Sequence, residues 1–92
     1  MMYEILFSNQ FKCSYKKCIK RGYNKALFEE VVTLLAESGT LPLRYKAHKL
    51  TGEWNGFWEC HIQPDWLLIW KQCEKELILV LTDTGTHSDL FG

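Results

Sequence analysis

No stretch of this chain approaches the ~20 consecutive apolar residues that a membrane-spanning helix needs. Its first ten residues, MMYEILFSNQ, lack both the basic and the apolar segment of an export signal. A cytoplasmic protein without a membrane partner is therefore expected. CxxC pairs are missing too: the four cysteines stand at 13, 18, 60 and 73. In a reducing compartment they read as thiols, held mainly as small buried hydrophobes. The phosphate-cradling GxxxxGK[ST] loop, the dinucleotide GxGxxG turn and the GxSxG nucleophile elbow are all absent, which excludes the chemistries built on them. There is no internal repeat and no low-complexity segment. Ninety-two residues bury one core but not two, so residues 1–92 form a single domain.

Net charge is absent as well, with 11 Lys and Arg against 11 Asp and Glu. The balance hides an asymmetry. Residues 1–49 carry nine Lys and Arg against four acids, and residues 50–92 carry two against seven. A basic first half is what attracts a phosphate backbone, although a solvated lysine face of a helix has the same composition.

What the chain does have is aromatic density and readable periodicity. Trp58, Trp66 and Trp70 fall within thirteen residues, as in a packed sheet. Tyr3 to Phe7 is β-prone. Ser8 then caps a helix in which Phe11, Tyr15, Cys18 and Ile19 share one face and Lys12, Lys16, Lys17 and Lys20 the other, up to Gly22. Asn24 caps a second helix with Leu27, Val31, Leu34 and Leu35 inward, ended by Ser38-Gly39. A basic connector, residues 40–52, follows. Three strand-like runs, Trp54–Ile62, Trp66–Lys71 and Glu76–Asp83, form an antiparallel meander. Strict alternation groups Trp54, Gly56, Trp58, Cys60 and Ile62 on one side of the first run, and Leu77, Leu79, Leu81 and Asp83 on one side of the last. In the tail TDTGTHSDLFG, Gly85 turns the chain and Thr86 and Asp89 set up a capped helical turn from which Leu90 and Phe91 pack back on the sheet. The expected fold is α+β, β-α-α-β-β-β, an antiparallel sheet packed on a helix hairpin with a short C-terminal helical turn.

The tail leaves His87 without a structural purpose. His48 in the connector and His61 beside the Pro64-Asp65 turn are the other two histidines. Three imidazoles, an aspartate and nearby lysines suit metal-free RNA cleavage, in which a base activates the ribose 2′-OH, an acid protonates the leaving 5′-oxygen and cations hold the phosphorane. A zinc site of His48, His61, His87 and Cys60 is the rival, but Cys60 and His61 are adjacent on a strand and face opposite ways.

At these residues the chain resembles a known family. The segments Thr40-Leu41-Pro42, Tyr45 to Leu50 (YKAHKL), Gly52 to Gly56 (GEWNG), Cys60 to Ile69 (CHIQPDWLLI) and Thr84 to Phe91 (TGTHSDLF) look like the YafQ branch of the RelE/ParE toxin superfamily, nearly end to end. The resemblance implies a RelE-like fold, a toxin of a type II toxin–antitoxin module, and ribosome-dependent cleavage of mRNA in the A site without a cofactor or metal. It also implies neutralisation by a DinJ/RelB-type antitoxin, through which operator DNA is bound only indirectly. Carried across, the family's catalytic set falls on His48, His61, Asp65 and His87, with Trp66 and Phe91 as supporting substrate contacts. Lys46 and Lys49 would help bind substrate, and Lys12, Lys16, Lys17 and Lys20 would meet ribosomal RNA.

Two family arginines are missing. One precedes TGTH and is Asp83 here; the other is Trp58. Loss of one transition-state donor commonly costs about a hundred- to a thousand-fold in rate. Two compensations are open: a cationic His87 beside Asp83, or Lys46 and Lys49 reaching in from the connector. The alternative is a weakened homologue that chiefly binds antitoxin.

Overall fold

A computed structural model describes residues 2–92 as three helices on a five-stranded sheet. In chain order the elements are β1 (Glu4–Phe7), α1 (Asn9–Lys20), α2 (Lys25–Ser38), β2 (His48–Lys49), β3 (Trp58–Gln63), β4 (Trp66–Cys73), β5 (Ile78–Gly85) and α3 (His87–Phe91). The α+β architecture and the helix hairpin are as expected. The sheet, however, is mixed: its order is β1-β5-β4-β3-β2, and β1 runs parallel to β5 while the other pairs are antiparallel. Pairing with β5 takes β1 out of the meander to the opposite edge.

The helix boundaries follow local chemistry. Ser8 Oγ accepts from Phe11 N–H (3.0 Å) and donates to the Thr82 carbonyl (2.7 Å), so one hydroxyl caps α1 and ties it to β5. Asn24 caps α2 by accepting from Ala26 N–H at 3.0 Å. At the end of α2 Gly39 adopts φ +71°, and a Cβ there would lie 2.5 Å from the Tyr3 ring. Only glycine serves both the left-handed backbone and that contact.

Three strand assignments change. His48–Lys49, expected within the connector, form the edge strand β2 on β3. Residues Gly52–Trp54 form a 3-10 turn instead of opening the first meander strand, because Asn55 N–H bonds the Gly52 carbonyl and Phe57 N–H the Trp54 carbonyl. Trp54 therefore does not share a face with Trp58. In β5 the register shifts between Ile69↔Asp83 and Trp70↔Leu81, leaving an extra residue at Thr82. After this bulge the core-facing series runs Leu79, Leu81, Thr84, and Asp83 drops out of it.

The helix-side core joins Phe11, Phe28, Val31 and Leu35 to Trp66, Leu68, Trp70, Leu79 and Leu81. Trp66 is 1% exposed and its indole donates to Thr84 Oγ1 (2.8 Å), which in turn donates to the Leu67 carbonyl (2.6 Å). Trp70 donates to Gln72 Oε1 (3.1 Å), and Gln72 Nε2 to the Gly39 carbonyl (3.1 Å). The buried indoles are thus satisfied through polar side chains of the sheet.

Replacing Thr84 by Val keeps its shape but strands the Trp66 N–H. Urea unfolding should register a loss of about 1–3 kcal/mol, and Thr84→Ser should recover most of it.

Candidate functional site

The face of the sheet turned away from α1 and α2 is read from the register. His48 pairs with Glu59, Glu59 with Ile69, Ile69 with Asp83, and His61 with Leu67. These positions alternate with the core residues Trp58, Cys60, Leu68 and Trp70. Leu67 and Ile69 are nonetheless buried, because the Gly52–Trp54 turn and α3 cover this second face.

His48 and Glu59 form its most defined element. His48 Nδ1 lies 2.8 Å from the Lys46 carbonyl and Nε2 lies 3.3 Å from Glu59 Oε1. A carbonyl only accepts, so Nδ1 must carry hydrogen. Nε2 then meets a carboxylate oxygen, and the contact needs one further proton, held by the imidazole or by the carboxyl. Glu59 is only 5% exposed, and its other oxygen, Oε2, has no hydrogen-bond partner among the described residues. An unsatisfied buried polar atom costs about 1–3 kcal/mol or more, so it calls for a partner. His61 stands two residues along β3 on the same face, its Nδ1 3.4 Å from the Pro64 carbonyl. Lys46 and His61 line one groove with Gln63 and Pro64.

The connector that delivers His48 is anchored. Tyr45 is buried, its hydroxyl donating to Glu30 Oε1 of α2 (2.9 Å), while Arg44 Nη2 donates to the same oxygen (2.8 Å). Lys46 takes a left-handed conformation (φ 53°), which turns the chain into β2.

α3 delivers the fourth candidate. Thr86 and Asp89 complete a capping box: Thr86 Oγ1 accepts from Asp89 N–H (3.1 Å) and Asp89 Oδ2 from Thr86 N–H (2.9 Å). Arg21, just past α1, adds a two-pronged contact to Asp89, Nη1 to Oδ2 at 2.6 Å and Nη2 to Oδ1 at 3.3 Å. A Cβ at Gly85 would meet the Asp89 side chain at 2.9 Å, so the glycine admits this carboxylate. Arg21 first, and then the Thr86 backbone N–H, hold the Asp89 carboxyl well below the usual carboxylate range. His87 and Phe91 sit on this secured turn with ring centroids 5.0 Å apart.

The other candidates are dispersed. Trp66 is enclosed in the core against Tyr23 and Phe28, so it supports the sheet from beneath instead of offering a contact surface. Lys49 reaches over the Trp58 ring (5.6 Å) on the helix side, away from His48. Asp65 occupies the β3–β4 turn, in a cleft with Tyr23 and Asn24. No hydrogen bond joins His48, His61, Asp65 and His87 to one another among the described residues. The exposed Lys12, Lys16, Lys17 and Lys20 lie on α1, against the far strand β5; β2 and β5 are three strand spacings apart, about 14 Å. Phe91 packs on Trp54 (6.2 Å), more exposed than a sheet-packed ring. Asp83 accepts from the Thr84 N–H (2.8 Å) and lines a polar cleft with Lys17, Arg21 and Asp89, making no contact with His87 among those described. Glu59 escaped the sequence reading as a site residue, although period-two alternation already sets it on the face of His61.

The cysteines are free thiols. Burial pushes the Cys60 thiol up, far from the range of thiolate chemistry.

The family profile described as "Bacterial toxin of type II toxin-antitoxin system, YafQ" matches residues 3–92. The chain is 40% identical over 91 residues to the mRNA interferase toxin YafQ of Escherichia coli K12, covering 97% of this chain and 96% of that protein. It superposes on the toxin in the E. coli DinJ-YafQ toxin-antitoxin complex with TM-score 0.89 and 35% identity, covering both chains fully (100% and 100%). A metal-bound toxin from Helicobacter pylori matches at TM-score 0.87 and 37% identity, over 99% of this chain and 100% of that one. Among the described residues of this protein no group of three His, Cys, Asp or Glu side chains is arranged to hold an ion.

A carboxylate held low in the folded state stabilises it above the ordinary aspartate value and loses that contribution as pH falls below about 4. Melting temperatures between pH 6 and 2.5 should therefore fall less steeply for Asp89→Asn than for the native chain. Because Asp89 is well exposed, the difference at neutral pH should be about 1 kcal/mol or less.

Proposed function

The chain belongs to the YafQ family of bacterial toxins of type II toxin–antitoxin systems, and from that premise we propose that it is an mRNA interferase. It cleaves mRNA in the ribosomal A site and is kept silent in the cytoplasm by a small DinJ/RelB-type antitoxin that carries any operator binding. The curated relative's name, mRNA interferase toxin, and the relative's complex with DinJ support activity and partner. The observation that carries the chemistry is the exposed His48 imidazole held by the buried Glu59 carboxylate and flanked by His61.

The reaction needs no cofactor. A ribose 2′-hydroxyl gives its proton to Nε2 of the exposed His48 imidazole, whose imidazolium Glu59 Oε1 then holds. The 2′-oxygen bonds to the neighbouring phosphorus. The P–O5′ bond breaks as His87 donates a proton to the leaving oxygen, leaving a 2′,3′-cyclic phosphate and a 5′-hydroxyl. His61 and Lys46, in their shared groove, hold the phosphate oxygens, and Phe91 holds a base. Asp65 and Trp66 act from a distance by fixing the β3–β4 hairpin that carries His61.

One observation favours a second reading, a weakened nuclease whose main role is antitoxin binding. Asp83 stands where the family resemblance implies an arginine, and its cleft pairs it with α1 cations instead of the open face. Induced expression decides between them. The native chain should arrest growth and cut A-site codons, His87→Ala should lower cleavage by about a hundred-fold or more, and Asp83→Arg should raise it. Arrest only after Asp83→Arg would favour the second reading, and full toxicity of His87→Ala would sink the mechanism.

A further inference from the structure

The open face carries a feature that none of the acid–base residues explains. Lys71, one residue past Trp70 on β4, emerges on the side opposite the core, and its Nζ lies 5.9 Å from the centre of the Phe57 ring. Phe57 meets Trp54 edge to face, 5.4 Å and 86°. Trp54 meets Phe91 in the same way, 6.2 Å and 82°, and Phe91 lies 5.0 Å from His87. A continuous run of touching rings thus joins an ammonium at one end to the candidate acid at the other.

Burial separates this run from the core. Trp66 and Trp70 are 1% exposed, whereas Phe91 is 37% exposed, Trp54 and Phe57 are half-buried, and Lys71 and His87 are open to solvent. The rings are also fixed in place: Phe57 N–H bonds the Trp54 carbonyl (3.0 Å), Leu50 N–H bonds the Phe57 carbonyl (2.8 Å), and Phe91 rides on the capped α3. Partly open aromatics on a rigid backbone, next to a lysine, are the parts from which single-stranded nucleic acid sites are made, bases on rings and phosphate on cation. Lys71 is the lysine that β4 contributes, and alternation from Trp70 sets it on this face.

We propose that Lys71, Phe57, Trp54 and Phe91 form a track for the single-stranded mRNA next to the scissile bond, with a flanking phosphate on Lys71 and a base against Trp54. The track deepens the nuclease reading and rests on it. It also provides the site with a fixed cation that Lys46 and Lys49 do not, one being in the His61 groove and the other over Trp58.

The test measures binding separately from cleavage. Ribosomes programmed with an mRNA 2′-O-methylated in the A-site codon bind toxin without being cut. Lys71→Met should weaken binding about 5- to 10-fold, with Lys71→Arg restoring it. Trp54→Leu should weaken it about 10- to 100-fold, while Trp54→Phe keeps most of it. On cleavable mRNA, Lys71→Met should raise KM more than it lowers kcat, and Lys75→Met, in the following turn, should behave as the native chain. Lys71 is exposed, so its variants stay informative even if Trp54→Leu unfolds. Native-like affinity of Lys71→Met on ribosomes that bind and are cleaved by the native chain would overturn the track alone. Failure of the native chain to bind programmed ribosomes would overturn the nuclease reading, and the track with it. Tight binding without cleavage would remove the enzyme while leaving the track in place.

Discussion

Five consecutive buried residues, Trp66 to Trp70, impose the main constraint on this fold. Alternation sends Trp66, Leu68 and Trp70 to one face and Leu67 and Ile69 to the other, so β4 cannot rest at an edge or leave either face in water. The helix hairpin covers the first face with its apolar stripes. A chain of this length has no third long helix to spare, and the second face is closed by small pieces, the 3-10 turn at Trp54 and the five-residue helix α3, which meet through Trp54 and Phe91. A cover made of short pieces leaves clefts between them. The candidate site lies in those clefts, over a sheet that the hairpin keeps rigid.

α3 and the connector are held by polar contacts, since neither is long enough to be stable alone. α3 depends on the Asp89 carboxylate, shared between the Thr86 backbone and Arg21. The connector depends on Glu30, shared between Tyr45 and Arg44. Two acids on or near the surface, Asp89 on α3 itself and Glu30 on α2, thus position the two histidine-bearing segments. The buried acid, Glu59, is different: half of it is answered by His48 and half is left for something else. The fold thus satisfies Trp66 and Trp70 fully and leaves one buried carboxylate oxygen without a partner among the described residues.

Much of this was legible in the chain itself. Ser8, Asn24, Gly39 and Thr86 mark helix ends through local hydrogen bonds and backbone angles, and all four act as such. The strands around Trp58, Trp66 and Leu79 follow from alternation. Two of the misread places share a cause. Trp54 is β-prone by composition but lies in a turn closed by its own backbone bonds, and the bulge at Thr82 adds a residue that no period-two pattern contains. The parallel pairing of β1 with β5 joins residues more than seventy positions apart, and local pattern carries no information about such pairing.

The site divides along the same line. Residue identity and spacing alone determined which groups could do acid–base work, since imidazole chemistry and the TGTH and HIQPDW segments belong to the sequence. Only the tertiary structure decided which of them meet. It set Glu59 against His48 across a strand pair, enclosed Trp66 in the core, turned Lys49 to the other face and drew Asp83 toward α1. The physical reason is that contacts across strands depend on register and on a single inserted residue, and these are settled by packing both faces of β4, which no short segment records.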